Sequence, residues 1–175
     1  LSSIPLFLTP YSFTRPTDTT AYAASDLIAN DVDAADVVPL SWTIPGLKAT
    51  GGIIEILGAF IRKTTVTFAA FDVKLELFNA TPTFVTAGDN SGYGTVVATG
   101  SAAWIGHLDL VGASLVNTHR SAAAAAALMR PITTNVPFYA RMVSRTMYGL
   151  LQARNSYAPG NAEVFTVQPI VRIVG

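Results

Sequence analysis

Residues Phe71-Asp72-Val73-Lys74-Leu75-Glu76-Leu77 alternate strictly between apolar and charged side chains. Only an extended chain puts successive side chains on opposite faces, so four apolar groups share one side and three charges the other. A helix would scatter the same residues around its axis. This segment is therefore a strand with one face buried, and it needs a sheet and a second layer to cover it. Runs rich in branched and aromatic residues repeat the signal at Val37–Ile44, Gly52–Arg62, Thr64–Phe68, Tyr93–Ala98, Ala103–Val111, Val136–Val143, Thr146–Ala153 and Val164–Val174. Turn clusters separate them: Pro45-Gly46, Thr50-Gly51-Gly52, Gly88 to Gly92 and Ala158-Pro159-Gly160-Asn161. The expected fold is all-β, an antiparallel β-sandwich of about eight to nine strands.

Two segments have helical character. Ala122–Ala127 with Leu128-Met129-Arg130 has high helix propensity and ends at Pro131, but so short a run needs tertiary support and could equally be a loop. Thr20–Ile28 could form a short helical turn. No repeat or Ser/Gly linker divides the 175 residues. The expected organisation is an N-terminal arm over residues 1–16 and a single sandwich over residues 17–175. The segment Leu1 to Tyr11 is apolar and carries Pro5 and Pro10, without the basic start or cleavage site of a signal peptide. It reads as an arm laid on another surface, or as a terminal strand docked on its own domain. Ile4, Leu6, Phe7, Leu8, Tyr11 and Arg15 are its candidate partner-binding residues.

Half of the residues are apolar and 13% are charged, against about 25% in a typical soluble domain. Disorder is excluded as a description of the chain. No stretch approaches the ~20 uninterrupted apolar residues of a membrane helix. The net charge is zero and residues 1–45 carry five aspartates against the single base Arg15, so the basic footprint of a nucleic-acid binder is missing. So little charge points to surface that other protein covers.

Candidate chemistry is sparse. His107 and Asp109 stand two apart in a strand and could pair as a base and its orienter; a surface histidine beside a carboxylate is the plainer reading. His119 has no second ligand at metal-binding spacing. Asp31, Asp33 and Asp36 resemble part of a calcium loop, but its central Gly and terminal Glu are missing. Asp89-Asn90 lies among glycines that match no phosphate-binding pattern and reads as a turn. With no cysteine, thiolate metal and redox sites are absent; neither catalytic residues nor a cofactor are expected. Tyr93, Trp104, Tyr148 and Tyr157 could line a sugar-binding surface or simply fill the core.

Thr14-Arg15-Pro16, then Thr19-Thr20-Ala21-Tyr22-Ala23-Ala24-Ser25-Asp26, the Phe71–Phe78 strand, Pro82, Asp89-Asn90, Tyr148-Gly149-Leu150-Leu151-Gln152-Ala153-Arg154 and Glu163-Val164-Phe165 occur in an order that resembles the head-decoration, or capsid-cement, proteins of tailed bacteriophages. The resemblance spans about residues 14–167. It departs from the family at Ser25, where Gly is expected, and at the Ala122–Ala127 tract. It implies a jelly-roll sandwich on the outside of a virion, bound to the major capsid protein and to its own copies, often as a homotrimer. Other expectations are a carbohydrate-binding module that aids host adhesion, the coat protein of a small icosahedral virus, and an enzyme built on His107 and Asp109. Neither nucleic acid nor membrane is an expected partner.

Overall fold

The computed structural model describes residues 4–64, 71–83, 88–93, 103–110, 116–117, 127–130 and 136–174. Strands β1 (Leu6–Phe7), β2 (Tyr11–Thr14), β3 (Leu27–Ile28), β4 (Leu40–Thr43), β5 (Gly52–Lys63) and β6 (Val73–Phe78) are followed by β7 (Trp104–Leu110), β8 (Val116–Asn117), β9 (Ala127–Arg130), β10 (Phe138–Met142), β11 (Thr146–Ala153) and β12 (Val164–Ile173). A 3₁₀ turn spans Ala34–Asp36. All strand pairs are antiparallel.

Sheet I has seven strands. Its centre is the long β5–β12 pair; β1 and β2 lie end to end along the far edge of β12, β10 and β9 along the far edge of β5, and β8 flanks β9. Sheet II has five strands: β3 and β4 lie on one side of β11, followed by β6 and then β7 on the other. The chain visits sheet I, sheet II, sheet I, sheet II, sheet I, sheet II and sheet I in turn. The fold is the expected antiparallel β-sandwich.

The alternation in Phe71–Leu77 does what its period requires. Val73, Leu75 and Leu77 face the core, while Lys74 and Glu76 face the other side. Across the sandwich they meet Ile54, Ile56 and Ile61 of β5 and Phe165, Val167 and Val171 of β12, all in one buried cluster. Trp42 fills the middle of this core, over Gly149, where a Cβ would approach the indole to 2.8 Å. Only glycine lets the two backbones and that ring share the space.

Thr20–Ile28 is not helical: Tyr22 bridges Tyr157 and Leu27–Ile28 is β3, because pairing with β11 satisfies the backbone and buries both residues. A nine-residue helix offers too little local stability to compete. For the N-terminal stretch, with its two readings of an arm or a docked terminal strand, the structure pairs Leu6–Phe7 and Tyr11–Thr14 with β12 as β1 and β2. Ala127–Arg130 pairs with β5 as β9; Ala122–Ala126, His119, and most of Thr64–Phe68 and Tyr93–Ala98 lie outside the described residues.

Candidate functional site

Among the described residues six charged side chains are buried: Arg15, Glu55, Lys63, Glu76, Asp89 and Glu163. The surface is thus poorer in charge than the composition alone indicates. Four of them form two triads at one end of the sandwich. In the first, Arg15 Nε donates to Tyr22 Oη at 2.8 Å, Arg15 Nη2 to Asp89 Oδ2 at 2.9 Å, and Tyr22 Oη to Asp89 Oδ1 at 2.6 Å. Asp89 Oδ1 also accepts from the Ala29 amide at 2.8 Å, and Arg15 Nη1 donates to the Asp18 carbonyl. In the second, Lys63 Nζ donates to Tyr157 Oη and Glu163 Oε1, both at 3.0 Å, and the Tyr157 hydroxyl donates to Glu163 Oε2. Tyr22 and Tyr157 stack in parallel, 6.0 Å apart, and so join the two.

Burial works against the Arg15 charge, yet Tyr22 and Asp89 outweigh it and raise its pKa. Burial lowers the pKa of Lys63 against the pull of Glu163, and it raises that of Tyr22 with help from Asp89. Arg15, Tyr22, Asp89 and Glu163 all belong to the short motifs that carry the phage-protein resemblance. Those motifs converge in space on a scaffold rather than on an exposed site. Asp89, read from the sequence as part of an ordinary turn, is its hub; a carboxylate among glycines far from Arg15 in the chain gave no local sign of that role.

The six partner-binding candidates divide. Ile4 and Phe7 are 73% and 60% exposed; Leu6 and Tyr11 are half-buried against the core; Leu8 and Arg15 are buried within the domain. Leu8 and Arg15 are therefore parts of the fold, while Ile4 and Phe7 are open to solvent. Further exposed apolar residues lie on the outer face of sheet I. On the outer face of sheet I, Phe7 of β1 stacks on Phe60 of β5 with centroids 6.1 Å apart. Along the same face a cross-strand row runs Tyr139, Glu55, Arg172, and beside it lie Ile53, Val143 and Val174. Tyr139 is 66% exposed, and Ile53, Val143 and Val174 are about as open. The central charges cancel, since Arg172 Nη1 meets Glu55 Oε2 at 3.1 Å. Arg141, opposite Ile53, and Arg62 stand exposed on the same face, so its apolar side chains are interspersed with cations.

The outer face of sheet II differs. Its registers place Gln152, Lys74 and Asp109 in one row, Leu150, Glu76 and His107 in the next, and Tyr148, Phe78 and Trp104 in the third. Trp104 Nε1 donates to Glu76 Oε2 at 2.6 Å, and the indole stacks on His107 with centroids 6.1 Å apart. The expected pair of His107 and Asp109 does share this face, at 3.8 Å, but Arg154 Nη1 approaches the same Asp109 oxygen more closely, at 3.4 Å. Of the four aromatics considered for sugar stacking, Tyr157 is internal, Tyr93 and Tyr148 are half-buried beside Phe78, and Trp104 is 47% exposed.

The acidic run has structural tasks. Asp31 accepts from the Asp33 amide at 2.9 Å, and Asp33 caps the 3₁₀ turn through the Ala35 amide at 3.0 Å. Among the described residues no group of three or more His, Asp or Glu is placed to hold a metal. Comparison with protein-family models and with curated proteins finds no match for this chain.

Proposed function

We propose that this chain is a non-enzymatic structural protein of a virus particle, a decoration subunit that binds the outer surface of a phage head and its own copies through the outer face of sheet I. The observation that carries this reading is the set of exposed apolar side chains on that face, Phe7, Ile53, Tyr139, Val143 and Val174, beside a Glu55–Arg172 ion pair and the exposed Arg62 and Arg141. Exposed apolar side chains gathered on one face of a charge-poor domain mark a place where protein is meant to sit, and a stable contact covers about 800 Å² on each partner. The strand order adds support. Each sheet offers four main positions, with β1/β2, β12, β5 and β9/β10 on one and β3/β4, β11, β6 and β7 on the other. The chain winds through them in jelly-roll order, the fold that the resemblance implies.

A subunit that touches several capsid proteins binds the assembled shell and not the dispersed subunits, so mass action favours the shell. Because β1 is a docked strand, removing the N-terminal residues would expose the edge of β12 as well as the binding face. Point substitutions are the cleaner test. Co-sedimentation with heads of the phage that encodes the chain should show saturable binding by the parent. Phe7→Ser combined with Tyr139→Ser should weaken it by about tenfold or more while the melting temperature holds. Absence of binding by the parent, or unchanged binding by the double variant, overturns the proposal.

A further inference from the structure

We propose that the outer face of sheet II is a glycan-binding site for a neutral oligosaccharide, with Trp104 as its stacking platform. A backbone irregularity sets the direction of the Trp104 side chain. Trp104 and His107 are three residues apart, and in a regular strand they would point to opposite faces. The register between β6 and β7 shifts after Leu77, where Gly106 pairs with Leu77 and Trp104 with Phe78. The extra residue is a bulge, a device that re-aims a side chain, and here it brings the indole onto the face that carries His107. Gly106 makes it possible: its φ is +140°, and a Cβ there would lie 2.7 Å from the Phe138 ring.

The indole is held by its edge. Its N–H is committed to Glu76, which is itself buried and lies 3.7 Å from Lys74. A large aromatic surface that is fixed in orientation and still half open is what a pyranose ring needs for stacking, because little side-chain freedom is lost when the sugar arrives. Beside it stands His107, and farther along the same face lie other groups suited to hydroxyls: the carboxylate of Asp109, the ammonium of Lys74 and the guanidinium of Arg154. A buried oxygen of Asp109 makes ionic contacts at 3.4 and 3.8 Å but no hydrogen bond. The charges select the sugar class. Lys74 and Arg154 do not outnumber Asp72, Glu76 and Asp109, so the positive field that would draw a uronic or sialic acid is absent, while donors and acceptors are both present for uncharged hydroxyls. From the Trp104 row to the Lys74 row is four residues, about 13 Å at ordinary strand rise, which exceeds one sugar ring.

The probes are neutral oligosaccharides, the gluco-, manno-, galacto- and xylo-configured hexamers, with oligogalacturonate and sialyllactose as the charged set, titrated against the full chain by calorimetry and by tryptophan emission. The chain has two tryptophans and Trp42 is buried, so a change in emission on binding reports Trp104. At least one neutral hexamer should bind. Trp104→Ala should weaken it by about tenfold or more, and Trp104→Phe, which keeps an aromatic face, by less. Tyr139→Ser on sheet I should leave sugar binding unchanged. If no neutral sugar binds, if only the charged set does, or if Trp104→Ala binds as the parent does while remaining folded by circular dichroism, the proposal is wrong. The site is independent of capsid attachment, since Tyr139→Ser tests that face and Trp104→Ala this one.

Discussion

The two buried triads use the same three parts, a cation, a tyrosine hydroxyl and a carboxylate, yet they are wired differently. Arg15–Tyr22–Asp89 is tied into the backbone: Asp89 accepts from the Ala29 amide, and Arg15 donates to the Asp18 carbonyl. It fastens the stretch before β3 to the 88–93 turn. Lys63–Tyr157–Glu163 links three side chains and accepts from the Gly160 amide at 3.3 Å, and its ammonium lies over the rings of Phe71 and Tyr157. The planar guanidinium can serve several acceptors at once, whereas an ammonium is a compact charge that sheds its proton more readily when buried. The first triad therefore organises chain segments that have no regular structure of their own, and the second fills the end of a core that strands already define.

The largest effect should come from breaking the hub. Asp89→Ala leaves Arg15 buried without its carboxylate and the Ala29 amide without an acceptor, and should cost about 3–5 kcal/mol in urea denaturation. A loss under about 1 kcal/mol would show that the two triads are equivalent after all.

A second experiment separates them from the other side. Replacing the whole pair with Lys63→Met and Glu163→Gln removes both charges from an apolar setting, and stability should change by no more than about 1 kcal/mol. The pH dependence is a sharper readout. Since burial lowers the Lys63 pKa below 10.5, the unfolded chain keeps a proton that the folded chain has released in the window below that value, and stability rises with pH there. Tyr22 opposes this above 10.0, because its pKa is raised by burial and by Asp89; the folded chain then holds a proton that the unfolded chain loses, and stability falls. The double variant should lose the rising limb and keep the fall. An unchanged profile between about pH 8 and 11 would remove Lys63 as its cause.

The smallest effect concerns the loop that leads from Tyr22 into β3. Ser25 has φ +75°, a left-handed conformation that costs a side-chain-bearing residue and not glycine. Its amide donates to the Ala153 carbonyl at 2.8 Å, and its carbonyl accepts from Tyr93, so the conformation is held by tertiary bonds. Ser25→Gly should stabilise by about 0.5–1 kcal/mol in thermal melts.

Much of the sandwich could be read in advance. Thr146–Ala153 is a strand with the bounds its composition indicates, and Gly52–Arg62 extends by one residue. The short strands could not be read so. Leu6–Phe7 and Leu27–Ile28 have two residues each, too few to show a period, and exist only because β12 and β11 offer them partners. The N-terminal candidates were identified by apolar character, which does not say which way a side chain points; Phe7 faces out and Leu8 in because the pairing of β1 with β12 sets the alternation. Tyr139, Ile53 and Val143 were invisible as a surface, since nothing in one strand's composition reveals which strands will lie beside it.

By itself the sequence determined the class of the fold, because side-chain alternation is a local property that only an extended, half-buried chain can satisfy. It also determined that the surface is poor in charge. The tertiary structure decided which carboxylates are buried, which aromatics face outward and which residues share a face. Those outcomes depend on cross-strand register and on one bulge at Gly106, and a shift of one residue in either would exchange the inside for the outside.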